Sequence, residues 1–135
     1  MNEQLKPRIR VAGIIIRNEK LLLLKGRGYE YFWTPGGKID GKESNEECLR
    51  RELKEEIGVD LVSMKFFKEY DGVSFFNPEI KQKQVVYLIE ISGEIKPDAE
   101  IESYILMSKE DYNNKKYNTQ TDDNIILDLI KENIW

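Results

Sequence analysis

The chain has 135 residues, 40% of them hydrophobic and 34% charged, with no histidine and a formal net charge of −4 at pH 7. That length and apolar content suit one domain, residues 1–135, able to bury its own core, and no run approaches the ~20 apolar residues of a membrane span. Lysines and arginines are scattered, which argues against a long polynucleotide, since such a partner requires a basic stripe to neutralise successive phosphates.

The first ten residues, MNEQLKPRIR, carry charge and no apolar signal region, so a cytoplasmic location is expected. Residues 8–17, RIRVAGIIIR, and 20–25, KLLLLK, are β-rich or apolar runs separated by Asn18-Glu19, and they predict a hairpin or two neighbouring strands. Gly26 to Gly37 is then expected to be a loop, closing with the turn signal Pro35-Gly36-Gly37. Ser44 with Glu47 three positions on is a capping-box signature that starts a helix, and Gly58 suits the left-handed residue beyond its last turn. Residues 61–70 and 82–91 read as two strands around a loop carrying Asp71-Gly72 and Asn77-Pro78, and 101–107 as a short further strand. Ser108 and Thr121 to Asp123 are helix starts, and Ile125, Ile126, Leu129 and Ile130 give the last segment an apolar face. Strands and helices mixed in this way predict an α/β fold, a mixed β-sheet flanked by helices.

The helix that starts at Ser44 carries the chemistry. At roughly 100° per residue, Glu52, Glu55 and Glu56 fall within about a 100° arc beside the apolar stripe of Leu49, Leu53 and Ile57. A solvated acidic face is the plain reading of such a pattern. Yet like charges three and four positions apart disfavour a helix, and crowding carboxylates beside apolar surface raises their pKa values unless a cation is present. A metal site makes better sense of them. Arg51 adjoins the cluster, and Glu43 precedes the cap, so a charge-assisted pair could hold the preceding loop against the helix.

Ligand type selects the metal. Without histidine, and with Cys48 as the only cysteine, a zinc site of the usual nitrogen and sulfur kind cannot be built; oxygen ligands select Mg²⁺ first and Mn²⁺ as a substitute. With the commonest general base absent, a carboxylate must do that work, or a metal-bound hydroxide must replace it. Cys48 itself is expected to be a packing residue in a reducing compartment.

Residues 37–59, GKIDGKESNEECLRRELKEEIGV, resemble the Nudix box, GX5EX7REUXEEXGU with U aliphatic, at all nine specified positions over twenty-three residues. The resemblance implies a Nudix-type α/β/α sandwich and hydrolysis of nucleoside diphosphates linked to another group. It implies catalytic roles for Glu52, Glu55 and Glu56, the supporting Arg51 to Glu43 pair, and the Gly36 carbonyl as a further metal ligand. Many members place another acid in a loop ahead of an aromatic position. Here Leu106 stands at that position, and counting back favours Glu100 as the ligand, with Glu102 second. Substrate contacts are expected from Lys25 and Arg27 to phosphates, from Trp33 stacking on a base, and from Asn118 or Asp122 at a base edge; for Lys25, Arg27 and Trp33, solvated charges and a buried aromatic anchor are the alternatives.

The expected reaction is metal-dependent cleavage of a nucleoside triphosphate, oxidised ones included, to monophosphate and pyrophosphate. ADP-ribose, a nucleotide sugar or a dinucleoside polyphosphate is the close alternative. A non-catalytic nucleotide-binding regulatory module is the alternative of another class, which loss of a box glutamate would favour, and none is lost. The expected partner is a small nucleotide, with a homodimer as the one assembly allowed for and no membrane.

Overall fold

The computed structural model describes residues 6–135. Strand β1 (Arg8–Ile14) opens the chain, followed by β2 (Ile16–Arg17), β3 (Lys20–Gly26), β4 (Phe32–Trp33) and β5 (Gly36–Lys38). Helix α1 (Asn45–Ile57) leads to the long strands β6 (Asp60–Val73) and β7 (Lys81–Ser92), then to β8 (Ile101–Met107), α2 (Lys109–Asn113), a 3₁₀ turn at Gln120–Asp122 and α3 (Asp123–Lys131).

Two four-stranded sheets result. The first has the order β5-β1-β7-β6 and is mixed, with β1 parallel to β7 and the other pairs antiparallel. In the second, β3 lies antiparallel to β2, β4 and β8. The run 8–17, expected as one strand, therefore divides at Ile15 between the two sheets. Asn18 and Glu19 both take positive φ, 50° and 64°, in the two-residue turn joining β2 to β3, a backbone whose twist matches that of the strands it connects.

Alternation along the strands explains why KLLLLK is apolar throughout. Leu22 and Leu24 face one core with Val11 and the α1 residues Leu49, Leu53 and Ile57, while Leu21 and Leu23 face a second core with Ala12, Ile14 and the α3 residues Ile125, Ile126 and Leu129. Helices thus cover both faces of the strand layer, giving the α/β/α arrangement. The segment Gly26 to Gly37 is not all loop: β4 pairs with β3, and β5 with β1, although two or three residues leave no periodic signal of their own. Among the described residues no helix is long and apolar enough to cross a membrane.

Candidate active site

Helix α1 is fixed at both ends by local chemistry. Ser44 accepts a hydrogen bond from the Glu47 N–H at 3.0 Å while the Glu47 carboxylate accepts from the Ser44 N–H at 2.8 Å, and Gly58 closes the helix at φ 70° with its N–H on the Lys54 carbonyl. The orientation of its carboxylates follows from these ends. Arg51 donates to both oxygens of Glu43, at 2.6 and 2.9 Å, to Glu52 at 3.0 Å, to Glu55 at 3.3 Å and to the Lys38 carbonyl at 3.2 Å. One guanidinium thus ties the loop before the helix to two of the three helix glutamates.

The Arg51 hydrogen bonds, helped by the Asp40 N–H, hold the Glu43 carboxyl down to about 2 from an ordinary 4.5. A folded value below the unfolded one means that the pair stabilises the fold above about pH 4.5 and loses that contribution as pH falls towards 2. Glu43→Gln is therefore expected to melt below the parent at pH 7, with the gap shrinking from about pH 4.5 downward. A pH-independent gap in thermal melts would show that the charge is not what matters.

Glu56 lies deepest. It is 9% exposed, accepts from the Gly36 N–H at 3.1 Å, and its carboxyl is pushed up to about 8, first by burial and then by Glu52 and Glu100, with Arg10 opposing. Burial also raises Glu52, whose side chain is 16% exposed, against the pull of Arg51. Glu55 is the outer member, with a side chain 54% exposed. A methyl group built on Gly37 would overlap the Glu52 carboxylate, and one on Gly36, at φ 142°, would overlap the Val11 carbonyl. The two glycines therefore let β5 pass between β1 and the helix carboxylates at backbone distance.

This donor set fits a hard divalent cation. It is all oxygen, its innermost carboxyl is buried beside two others, and the Gly36 backbone lies against it. Among the described residues no three acidic side chains converge on one point as a closed shell requires. A cation that keeps several waters needs only one or two carboxylates, with substrate oxygens completing its shell.

The carboxylates open into a cleft of about 350 Å³, which Glu52, Glu56 and Glu100 line at one part and aromatic rings at another. Phe76, 56% exposed, packs against Tyr29 and Trp33 with ring centroids 5.1 and 5.8 Å apart, and Tyr31 meets Phe75 at 4.8 Å. Buried Asp122, carried inward by the 3₁₀ turn, accepts from the Thr34 N–H at 2.7 Å; burial raises its carboxyl and Arg10 opposes. Arg10 donates to the Gln84 side chain and, at 2.8 Å, to the Thr34 carbonyl.

The family model described as the NUDIX domain matches residues 7–129. The chain belongs to the Nudix family. It is 36% identical over 75 residues to an 8-oxo-dGTP diphosphatase of Buchnera aphidicola subsp. Schizaphis graminum, covering 53% of this chain and 55% of that protein. To an ADP-ribose pyrophosphatase of Methanocaldococcus jannaschii it is 40% identical over 58 residues, 41% of this chain and 34% of the other. The chain thus spans about half the length, or less, of these curated relatives. The crystal structure of a MutT Nudix hydrolase from Burkholderia pseudomallei superposes at a TM-score of 0.69 with 27% identity, over 78% of this chain and 85% of that one. A MutT structure from work on Aliivibrio salmonicida and Vibrio cholerae gives 0.76 with 23% identity, over 94% and 99%, a likeness of fold.

Within this Nudix domain the residues singled out from sequence fall into three groups. Gly36, Trp33, Glu52, Glu56, Glu100 and Asp122 line the cleft, and Trp33 is at once half-buried anchor and wall. Glu43, Arg51 and Glu55 form the ionic brace behind it. Lys25, Arg27 and Asn118, expected to contact substrate, stand outside this lining. Lys25 is held by Glu102 at 3.3 Å, Arg27 donates its Nε–H to the Ala99 carbonyl at 3.2 Å, and the Asn118 side chain accepts from the Gln120 N–H at 3.1 Å to start the 3₁₀ turn. Leu106 stands in β8 opposite Leu22, 36% exposed, and outside the lining.

The same cleft contains residues that the sequence reading passed over: Arg8, Arg10, Gln82 and Gln84 on the strands, and Tyr29, Ser74, Phe75 and Phe76 at the mouth. A signal existed for the first four. Charged or amide residues two apart in strands otherwise apolar at depth share one face, and that face needs a polar neighbour.

Proposed function

We propose that this Nudix domain hydrolyses a phosphoanhydride bond in a nucleoside diphosphate derivative, with a nucleoside triphosphate, oxidised forms included, giving monophosphate and pyrophosphate. The observation that carries the reading is one cleft with two chemistries: a carboxylate pair, Glu56 buried and Glu52 half-buried, suited to Mg²⁺, or Mn²⁺ in its place, and an aromatic mouth suited to a base. Similarity to an 8-oxo-dGTP diphosphatase supports the triphosphate. Similarity to an ADP-ribose pyrophosphatase keeps ADP-ribose as the second reading. Retention of every box glutamate speaks against a purely regulatory module.

Glu52, Glu56 and the Gly36 carbonyl would hold the cation, Glu100 would reach it or one of its waters, and Glu55 would lie at its outer side. When bound, the cation supplies neutralisation of phosphate charge and acidification of water. Glu52, its direction fixed by the Arg51 hydrogen bond, would serve as ligand, as proton acceptor or as both. Arg51 and Glu43 position and do not react.

The test is a screen of nucleoside triphosphates, ADP-ribose, dinucleoside polyphosphates and coenzyme A with product identification, under metal exchange. EDTA is expected to abolish turnover, Mg²⁺ or Mn²⁺ to restore it, and stoichiometric Zn²⁺ to fail. Tightly bound zinc that supports turnover without added Mg²⁺ would overturn the oxygen-ligand assignment.

The loop acid has its own test. The register of β8 on β3 shifts at Glu102, between the Lys25 to Ser103 and Gly26 to Ile101 pairs, so Glu100 and Glu102 diverge: Glu100 lines the cleft and raises Glu56, whereas Glu102 pairs with Lys25. Glu100→Gln is expected to lower kcat by about tenfold or more with little change in melting temperature, and Glu102→Gln to be nearly silent. Equal, small effects from both would remove the loop acid from the site.

A further inference from the structure

Strand β1 lies parallel to β7 with Arg8 opposite Gln82 and Arg10 opposite Gln84, all four lining the cleft. Each glutamine spends its carbonyl oxygen on the arginine beside it, Arg8 Nη2 to Gln82 Oε1 at 3.2 Å and Arg10 Nη1 to Gln84 Oε1. Because a guanidinium only donates, this fixes the amide orientation and leaves both glutamine NH₂ groups without an acceptor among the described residues. The Arg8 Nε–H is buried and likewise has no acceptor among them. The result is a row of donors set in register by the sheet, with Arg10 also held by the Thr34 carbonyl, in a cleft lined as well by the rings of Tyr29, Trp33 and Phe76.

Such an array discriminates by chemistry. A carbonyl oxygen offers two lone pairs to it, and arginine's planar fork is the side chain best matched to a keto edge. An amino group would present donors to donors and leave both sides unpaired in a desolvated cleft. We propose that Arg8, Arg10, Gln82 and Gln84 select the base by reading purine C6 or pyrimidine C4, taking the 6-oxo purines and 4-oxo pyrimidines, whose carbonyl oxygen accepts there, and turning away adenine and cytosine, which carry an amino group at that position. This rests on the reading of the cleft as a nucleotide site. Asp122, which accepts from the Thr34 N–H, is a further acceptor in the lining of the same cleft.

Calorimetric titration of the full chain in EDTA with GMP, UMP, AMP and CMP reads base preference without turnover. GMP and UMP are expected to bind about tenfold tighter than AMP and CMP, the discrimination of one good bidentate contact. Arg8→Met is expected to bring the ratio to about one. Gln82→Glu, which pairs Arg8 and replaces an amide donor by an acceptor, should do the same and raise AMP affinity; it also serves if Arg8→Met fails to fold, with melting curves as the control. AMP binding as well as GMP in the parent, no binding by any of the four, or a ratio that survives in a folded variant would overturn the proposal. Hydrolysis of the four triphosphates with Mg²⁺ is run alongside. Preferential GMP binding with no hydrolysis would remove the hydrolase reading and keep the selective face, while equal hydrolysis of all four without binding preference would do the reverse.

Discussion

Glu56→Gln is expected to lower turnover at saturating Mg²⁺ by at least about a hundredfold while the chain still folds, the loss seen when a charge stabiliser at the reacting phosphate is removed. Its position makes the effect large: Glu56 is the buried carboxyl of the cluster, against the Gly36 backbone, where no solvent ion can replace its charge. Stability should move the other way. With the metal removed, burial holds this carboxyl up to about 8, above its ordinary 4.5, so its contribution to stability is fully present below about pH 4.5 and is lost as pH rises through 8. Glutamine resembles the protonated acid and can keep the Gly36 hydrogen bond. In EDTA the variant should therefore melt with the parent near pH 5 and above it beyond about pH 8. Near-parental turnover would remove Glu56 from the metal site, and a variant less stable than the parent at high pH would show that burial of the charge had been misjudged.

Gly37→Ala should separate activity from stability. The added methyl would meet the Glu52 carboxylate, the end of a flexible side chain, so the chain can fold by moving Glu52 aside. That movement carries the cost. A displacement of about 1 Å in a positioned catalytic group can cost about a hundredfold, and a loss of that order in kcat is expected with a small change in melting temperature. Gly36→Ala provides the contrast, because its methyl would strike the Val11 carbonyl from a backbone at φ 142° and neither can yield. It should lose more than about 1 kcal/mol of stability. Parental turnover in Gly37→Ala would mean that Glu52 needs no fixed place.

The legible part of this site was the part made by local chemistry. Capping at Ser44 and Gly58 sets the ends of α1, helical spacing places Glu52 and Glu56 together, and the Glu43 to Arg51 spacing spans one loop and two turns of helix, so short-range rules were enough. What failed depended on partners distant in the chain. β4 and β5 exist because β3 and β1 hold them, and the pairing of Lys25, near the end of β3, with Glu102 crosses the sheet. Asn118 and Asp122 looked interchangeable as strings. The 3₁₀ turn separates them, spending Asn118 on its own first turn and burying Asp122 against Thr34. Spacing by two puts Arg8 with Arg10 and Gln82 with Gln84, but the meeting of the two pairs needed the parallel register of β1 on β7, which no local pattern states.

The most direct test is phosphorus NMR of one sample: the purified chain with Mg²⁺ and a nucleoside triphosphate, followed in time and repeated with Glu56→Gln and with EDTA. Nucleoside monophosphate and pyrophosphate should appear in equal amounts in the first tube, at least about a hundredfold more slowly in the second, and not at all in the third. Persistent triphosphate in the first tube, together with intact ADP-ribose and dinucleoside polyphosphates in parallel tubes, or equal rates in all three, would contradict metal-dependent phosphoanhydride hydrolysis at this cleft.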